Sequence, residues 1–399
     1  MQDKYDIVIV GAGPAGLSAA YSAARNGAAV LVIERDDGVA HNIRTSGVSW
    51  IDEMTKFGIG KEHYNPIKNY AFFSPSNEVT IQGNESKCCV LNVRSTYQHL
   101  AFEAASAGAN IMVKANVTNA IVRNNRISGV KINTPKGEFS INADLVIDAS
   151  GFSTAVGRKV GFVSEWKRYG VGAEYECFAE NCDDETWMLM VGNQYSPAGY
   201  AWAFPLGKNR IRIGVGIGRP ESNEEPLDRL NMMLEKKPKP LDGMGKIEPI
   251  ELHYGFIPNE GVRASSVADG FMLVGDSAGQ ANPLVLEGIR YAIEFGRLAG
   301  EIGSKALQNG ATKESLQEYE HIWRSRVQSK IAAALRVQAR WLDLTDDEWD
   351  KEIDIIKDMS LDEFLDFIRA DFSMSKMLKL ALHHPKTAAR QLFNMVLKN

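Results

Sequence analysis

A short apolar run, Tyr5 to Val10, leads directly into Gly11-x-Gly13-x-x-Gly16, and an alanine-rich stretch of helix-forming composition, Leu17 to Asn26, follows. Gly27 stands where a helix C-cap belongs, Ala29 to Ile33 forms a second buried-strand run, and Glu34 closes it. This is a complete βαβ unit, and each part has a mechanical reason. The glycines allow a tight turn, close approach of a pyrophosphate, and close packing of helix on strand. The helix N-terminus offers free N–H groups and a positive dipole end to phosphates. Glu34 is placed to accept hydrogen bonds from a ribose hydroxyl, and Ala15 and Arg35 flank the same turn and acid. A glycine-rich turn with no ligand is the bland alternative, and the surrounding unit makes it the weaker one. The motif alone leaves NAD and FAD equally open.

At 399 residues the chain exceeds one ordinary compact domain. With 44% hydrophobic and 24% charged residues it is globular rather than disordered or fibrous. A formal charge of −5 argues against a nucleic-acid binder. Cys88, Cys89, Cys177 and Cys182 match neither a disulfide framework nor a zinc spacing. His383-His384, adjacent and followed by Pro385, reads as a solvated helix end, so no metal is expected. Neither a signal peptide nor a membrane-spanning stretch is legible, which reads as a cytoplasmic protein.

Beyond the first unit, Ser95 to Ala107 reads as a helix, Ala109 to Lys114 as a strand, and Val117 to Val130 as a hairpin turning at Asn124-Asn125. From about Val160 to Leu252 apolar and polar residues alternate, as in Arg210-Ile211-Arg212-Ile213 and, just beyond, Glu251-Leu252-His253-Tyr254, which suggests an antiparallel sheet with one wet face. A long helical pattern runs from Pro283 to Leu307, and everything after Lys313 is helix-like. Capping boxes at Thr345–Glu348 and Ser360–Glu363 mark helix starts. The expected architecture is α/β: a Rossmann-type dinucleotide domain from 1–60, 91–160 and 253–307, an antiparallel-sheet (α+β) substrate domain from 61–90 and 161–252, and a C-terminal helical region over 308–399.

Two later segments bear on the ligand. Asp148-Ala-Ser-Gly151 closes one buried strand and Val274-Gly275-Asp276-Ser277-Ala278-Gly279 another. Asp276 can hold a sugar-alcohol hydroxyl. Asn282-Pro283-x-x-x-Glu287-Gly288-Ile289 then opens a helix whose N-terminus would stabilise a reduced flavin's anion. In this order the segments resemble the FAD-containing oxidoreductases related to aromatic hydroxylases. Tyr200-Ala-Trp202-Ala-Phe204-Pro205, followed eight residues later by Gly214-Val-Gly216, narrows the match. It is similar to the YxWxFP-x8-GxG signature of the geranylgeranyl reductase family, which includes archaeal digeranylgeranylglycerophospholipid reductases.

The resemblance covers about Tyr5 to Leu307. It implies FAD held by Gly11, Gly13, Ala15, Gly16, Glu34, Arg35, Arg94, Asp276, Gly288 and Ile289. It also implies a prenyl pocket at Tyr200, Trp202, Phe204 and Pro205, with the three aromatics on one strand face and Pro205 ending or edging the strand. Read from periodicity alone, those aromatics are as readily core. Many members carry a Cys-Gly pair near the flavin, whereas here Ile43-Arg44-Thr45-Ser46-Gly47-Val48 has no cysteine. Arg44 is either a contact to phosphates or a substrate head group, or a plain loop arginine.

The implied activity is reduction of C=C bonds in a polyprenyl chain, with hydride from flavin N5 and a proton from a donor for which Tyr200 is a weak candidate. NAD(P)H or ferredoxin would supply electrons. The FAD motifs equally permit a monooxygenase or halogenase acting on an aromatic compound, or a non-redox flavoprotein cyclase; the halogenase WxWxIP signature is absent. Residues 373–399 hold five basic side chains and no acid, and Ala389, Leu392, Phe393 and Val396 share a helical face opposite Lys386, Arg390 and Lys398. Such a helix packs on protein or lies on anionic lipid, which would put the chain at the inner face of the membrane as a peripheral protein.

Overall fold

The computed structural model describes residues 2–370 together with Lys376, Leu382 and His383. The basic segment 386–399 lies outside the described residues. The buried runs of the N-terminal half line up as a parallel sheet in the order Asn110–Met112, Val30–Ile33, Lys4–Val10, Gly137–Asp148, Phe271–Leu273. Their near-continuous Val, Ile and Leu content suits strands covered on both faces. The chain leaves Lys4–Val10 at the point where strand order reverses, so the cleft at its carboxyl end is where a ligand fits. An antiparallel pair, Asn116–Arg123 and Arg126–Thr134, extends the sheet. Its turn is the expected Asn124-Asn125, both at positive φ (51° and 59°), as a two-residue turn of matching twist requires.

Helices Pro14–Arg25 and Ile289–Ala306 cross on one face of this sheet almost backbone to backbone. A Cβ on Gly296 would lie 2.4 Å from the Ala15 carbonyl oxygen, and one on Gly300 would lie 2.1 Å from that of Ala19. The helix over the expected 95–107 segment spans Val93–Ser106, capped by Asn92, whose side chain accepts from the Ser95 N–H.

The second sheet has seven strands in the order Ile247–Pro258, Tyr169–Ala179, Arg210–Arg219, Gly199–Gly207, Thr186–Val191, Asn69–Phe73, Glu78–Gln82. All pairs are antiparallel except Asn69–Phe73 on Thr186–Val191. One face buries Ile213 and Ile217 against Leu230 and Met233 of helix Pro226–Lys236. On the other face, Phe72, Trp187 and Phe204 meet Ile353 and Phe364 of helices Asp346–Lys357 and Leu361–Ile368. Both capping boxes form at the starts of those two helices. Ahead of them, the 30-residue helix Lys313–Leu342 ties to the first sheet, with the Tyr319 hydroxyl donating to the Leu273 carbonyl and the Trp323 indole to Ser266 Oγ.

Three sequence expectations are revised. Strand Ile247–Pro258 runs through the division expected at 252/253. Helix does not begin at Pro283: residues 282–288 form a buried loop closed by backbone pairing of Asn282 with Glu287, and helix starts only at Ile289. The alternation after Val160 does give an antiparallel sheet, but the expected wet face is inverted at its edge. His253 is 3% exposed and Arg212 1%, whereas Ile250 is 70% and Leu252 46% exposed.

Candidate functional site

The three glycines of the first turn are present for different reasons. Gly11 sits at φ +103°, and a Cβ there would meet the Ala149 carbonyl oxygen at 2.5 Å; at Gly16 a Cβ would lie 2.0 Å from the Gly11 carbonyl oxygen. Both are demanded by packing. Gly13 is not: its φ is −79°, and a Cβ would meet nothing within 4 Å. It opens onto a cavity of about 1050 Å3 and caps the N-terminus of Pro14–Arg25 without a side-chain partner. Glu34 is locked to the same turn, accepting the Ala12 N–H and the Asp36 N–H at 2.9 Å each. A cradle that is empty of side chain only where a ligand needs room fits a dinucleotide pyrophosphate.

The same cavity is lined by Ala15, Arg35, Arg44, Asp276, Gly288 and Ile289. Among the described residues the Asp276 carboxylate has no hydrogen-bond partner, and burial pushes it up to about 6. An unpartnered carboxyl on a cavity wall suits a ligand hydroxyl. Gly288 caps helix Ile289–Ala306, again without a side-chain partner. Asp148, the other strand-end acid, accepts from Ser150, Val156 and Gly157 and serves its own turn. Arg44 pairs with Asp36 at 2.8 Å. Arg94 does not line the cavity: it donates to the Ala40 and His41 carbonyls and pairs with Glu251 at 2.8 Å. Gly16 lies beneath the turn rather than at the ligand surface.

A second cavity of about 100 Å3 adjoins the first and shares Arg44, Thr45, Tyr254, Phe256, Ile257 and Leu286 with it. Its floor is the second sheet, and strand register dictates what paves it. Tyr200, Gly216, Gly172 and Gly255 form one cross-strand row, while Trp202, Gly214, Glu174 and His253 form the next on the same face. With no Cβ between them, the Trp202 indole lies flat across its neighbour: a Cβ on Gly214 would fall 2.3 Å from its Cζ2. The indole thereby reaches past one strand, and Nε1–H donates to Glu174 Oε2 at 2.8 Å. The paired aromatic and glycine motifs are thus two halves of one contact.

Tyr200 and Trp202 line this pocket, and Phe204 and Pro205 do not. Phe204 stacks between Trp187 and Trp202 in the core. Pro205 does not end the strand, which continues to Gly207; pairing with Thr186–Val191 stops at Ala203, so the missing N–H falls where one neighbour alone is paired. The Tyr200 hydroxyl, a weak candidate for the proton donor, donates to the Val285 carbonyl at 2.8 Å, and burial raises its pKa.

The next row, Phe204, Arg212, Glu176, Glu251, completes a buried ionic cluster that sequence patterning did not reveal. His253 Nδ1 lies 2.9 Å from Glu174 Oε1, and its Nε2 lies 3.6 Å from Glu251 Oε2. Arg212 donates to the Ser46 and Leu91 carbonyls and faces Glu174 and Glu176 at 3.6 and 3.4 Å. The Arg94 guanidinium holds the Glu251 carboxyl below its ordinary range. At the far end of the fold, His383 meets Glu363 at 2.7 Å; among the described residues no cluster of three ligands could hold a metal.

A family model described as FAD dependent oxidoreductase matches residues 6–213. Digeranylgeranylglycerophospholipid reductase 2 of Methanococcoides burtonii is 32% identical over 396 residues, 95% of each chain, and the digeranylgeranylglycerophospholipid reductase of Methanosarcina mazei is 32% identical over 394, again 95% of each. A geranylgeranyl bacteriochlorophyll reductase-like protein from Thermoplasma acidophilum superposes with a TM-score of 0.86 at 26% identity, covering 97% of this chain and 98% of the other. The flavin-dependent brominase Bmp2, at 17% identity and a TM-score of 0.69, shares the fold.

Proposed function

The chain belongs to the FAD-dependent oxidoreductases and, within them, to the digeranylgeranylglycerophospholipid reductase family, and from that premise we propose that it saturates the C=C bonds of geranylgeranyl chains on a glycerophospholipid. The observation that carries the substrate class is the glycine-paved pocket, adjoining the cofactor cavity and walled by Tyr200 and Trp202. A prenyl chain gains roughly 0.8 kcal/mol per buried methylene, so binding is easy and registration of one alkene is the harder task.

Gly13, the backbone N–H groups that follow it, Glu34 and Asp276 would hold the cofactor's phosphates and hydroxyls, and the uncapped end of Ile289–Ala306 would face its ring system. Bound FAD supplies the hydride for one carbon of each double bond. The protein's own part is to place the alkene and exclude water. Leu286 packs over Gly170 and the Arg44 backbone over Gly255, so both line the glycine-floored pocket from above. The faces of Tyr200 and Trp202 shelter cationic character on the substrate carbon. Arg44, at the junction of the two cavities, is placed to meet a lipid head-group phosphate.

Anaerobic reduction with dithionite followed by prenylated candidates tests this reading: reoxidation with a product heavier by two hydrogens per bond supports it. Oxygen uptake with hydroxylated product, or an unchanged mass, overturns it. The electron donor is NAD(P)H docking transiently or a ferredoxin, separable by which one bleaches the enzyme anaerobically. No helix among the described residues is long and apolar enough to cross a membrane; the basic segment 386–399 is the contact we propose with anionic lipid.

A further inference from the structure

Reduction of an isolated alkene needs a proton as well as a hydride. The one acid on the pocket's glycine floor is Glu174. It is 3% exposed, lines the pocket beside Trp202, and has both oxygens engaged: Oε2 accepts the Trp202 indole N–H, and Oε1 faces His253 Nδ1. His253, also 3% exposed, turns its other nitrogen toward Glu251, and Nε2 makes no hydrogen bond among the described residues. Glu251 is half-exposed at the sheet's edge strand and pairs with the equally open Arg94. Three ionisable side chains from two adjacent strands therefore form a line from solvent to the substrate pocket.

We propose that Glu174 delivers the proton of each reduction to the substrate and that His253, backed by Glu251, reloads it from solvent. The proposal rests on the reductase reading above. The Glu174 O–H breaks as the alkene's π pair forms the new C–H bond, and the other carbon takes the hydride that the reduced flavin supplies. The alkene gains two electrons and the flavin loses two. Glu174, now a carboxylate, takes the proton from His253 Nδ1 as Nε2 takes one from water beside Glu251, and a flip of the ring returns an N–H to the Glu174 side before the next turnover. A carboxylate left beside Trp202 also stabilises the positive charge that develops on the substrate.

The groups that set this line's charge come from every element around it. Arg212 on its own strand faces Glu174 and Glu176; Arg94 approaches from helix Val93–Ser106; Arg44 approaches from the covering loop. Glu251 and Arg94, both partly open to solvent, connect the line to water.

Single-turnover reoxidation by a prenylated lipid, under argon after dithionite, is compared in wild type, Glu174→Gln, His253→Gln and Glu251→Gln. Glu174→Gln, which can still accept the Trp202 hydrogen bond, should retain FAD and its melting transition yet slow alkene-dependent reoxidation by about 100-fold or more, the scale of a general acid. His253→Gln should leave that first turnover near the parental rate and slow sustained multiple-turnover reduction about 10-fold or more, with recovery on adding imidazole, which a packing role would not give. Independently of turnover, side-chain-labelled histidine NMR of FAD-free protein should show the His253 ring resonances displaced by Glu251→Gln, since Nε2 faces that carboxylate. That measurement stands even if Glu174→Gln folds poorly. A wild type that reduces no prenyl lipid overturns the reductase reading and the relay with it. A competent wild type matched by Glu174→Gln, or a His253 resonance indifferent to Glu251→Gln, overturns the relay alone.

Discussion

Replacing Gly13 with alanine separates a glycine kept for a ligand from glycines kept for the fold. At φ −79° and ψ −178° the backbone suits any residue, and the added methyl touches nothing within 4 Å. Two small effects oppose each other: loss of glycine's entropy in the unfolded chain stabilises by about 0.4–1 kcal/mol, and alanine is a poorer N-cap than glycine by roughly 0.5–1 kcal/mol. The FAD-free protein should therefore melt within ~0.5 kcal/mol of the parent. The methyl instead fills the space above the turn and pushes the pyrophosphate off the helix N–H groups. Losing one charge-assisted hydrogen bond costs about 1.5–3 kcal/mol, which is roughly 10- to 150-fold in FAD affinity. Gly16→Ala is the contrast, since its methyl lands 2.0 Å from a backbone oxygen that has no room to move; about 1–3 kcal/mol should be lost with or without FAD. Urea denaturation of FAD-free protein and fluorescence titration with FAD give both numbers. Equal loss of stability in the two variants, with Gly13→Ala binding FAD at parental affinity, would refute the cradle.

Other expectations are more local. Asp276, raised by burial to about 6, favours its protonated form in the folded, FAD-free chain. Its folded pKa lies above the unfolded value, so the folded state holds the extra proton and its contribution to stability is present at low pH and lost as pH rises from the unfolded carboxylate range to about 6. Asp276→Asn should remove that component of the pH dependence in calorimetry, and should also lower FAD retention. Trp202→Ala should cost stability, about 3–5 kcal/mol for a buried tryptophan, because Trp202 belongs to the core as well as to the pocket. Trp202→Phe is thus the informative change: it should fold, bind FAD and alter which double bond is reduced, as product mass fragmentation would show. Removing residues 386–399 should abolish salt-sensitive co-sedimentation with anionic liposomes, and unchanged binding would reject that segment as the contact.

What the sequence determined by itself was the cofactor half of the molecule. Gly11 to Glu34 is contiguous, and every relation in a βαβ turn is local: strand, turn, helix and acid lie within one length of chain, so spacing alone carries the geometry. The Asn124-Asn125 turn and the two capping boxes were legible for the same reason. The aromatic-and-glycine signature was legible as a pattern, yet its meaning was not. Residues 202 and 214 become neighbours only when two strands pair in register, and only then does Gly214 explain how an indole can reach Glu174.

Tertiary structure alone decided the rest. Polar residues at alternate positions are expected to face water, and at Arg212 and His253 they face inward, because a charge can be buried where partners on adjacent strands neutralise it. No single strand carries that information: Glu174, Arg212, His253 and Glu251 come from three strands, and their proximity is a property of sheet order. The 282–288 loop was misjudged for a related reason. Its proline and apolar residues suit a first helical turn, but the cross-loop pairing of Asn282 with Glu287, and the need to leave Gly288 open at the cavity, hold it out of helix until Ile289. Local propensity sets what a segment can become, and long-range pairing with buried partners selects among the possibilities.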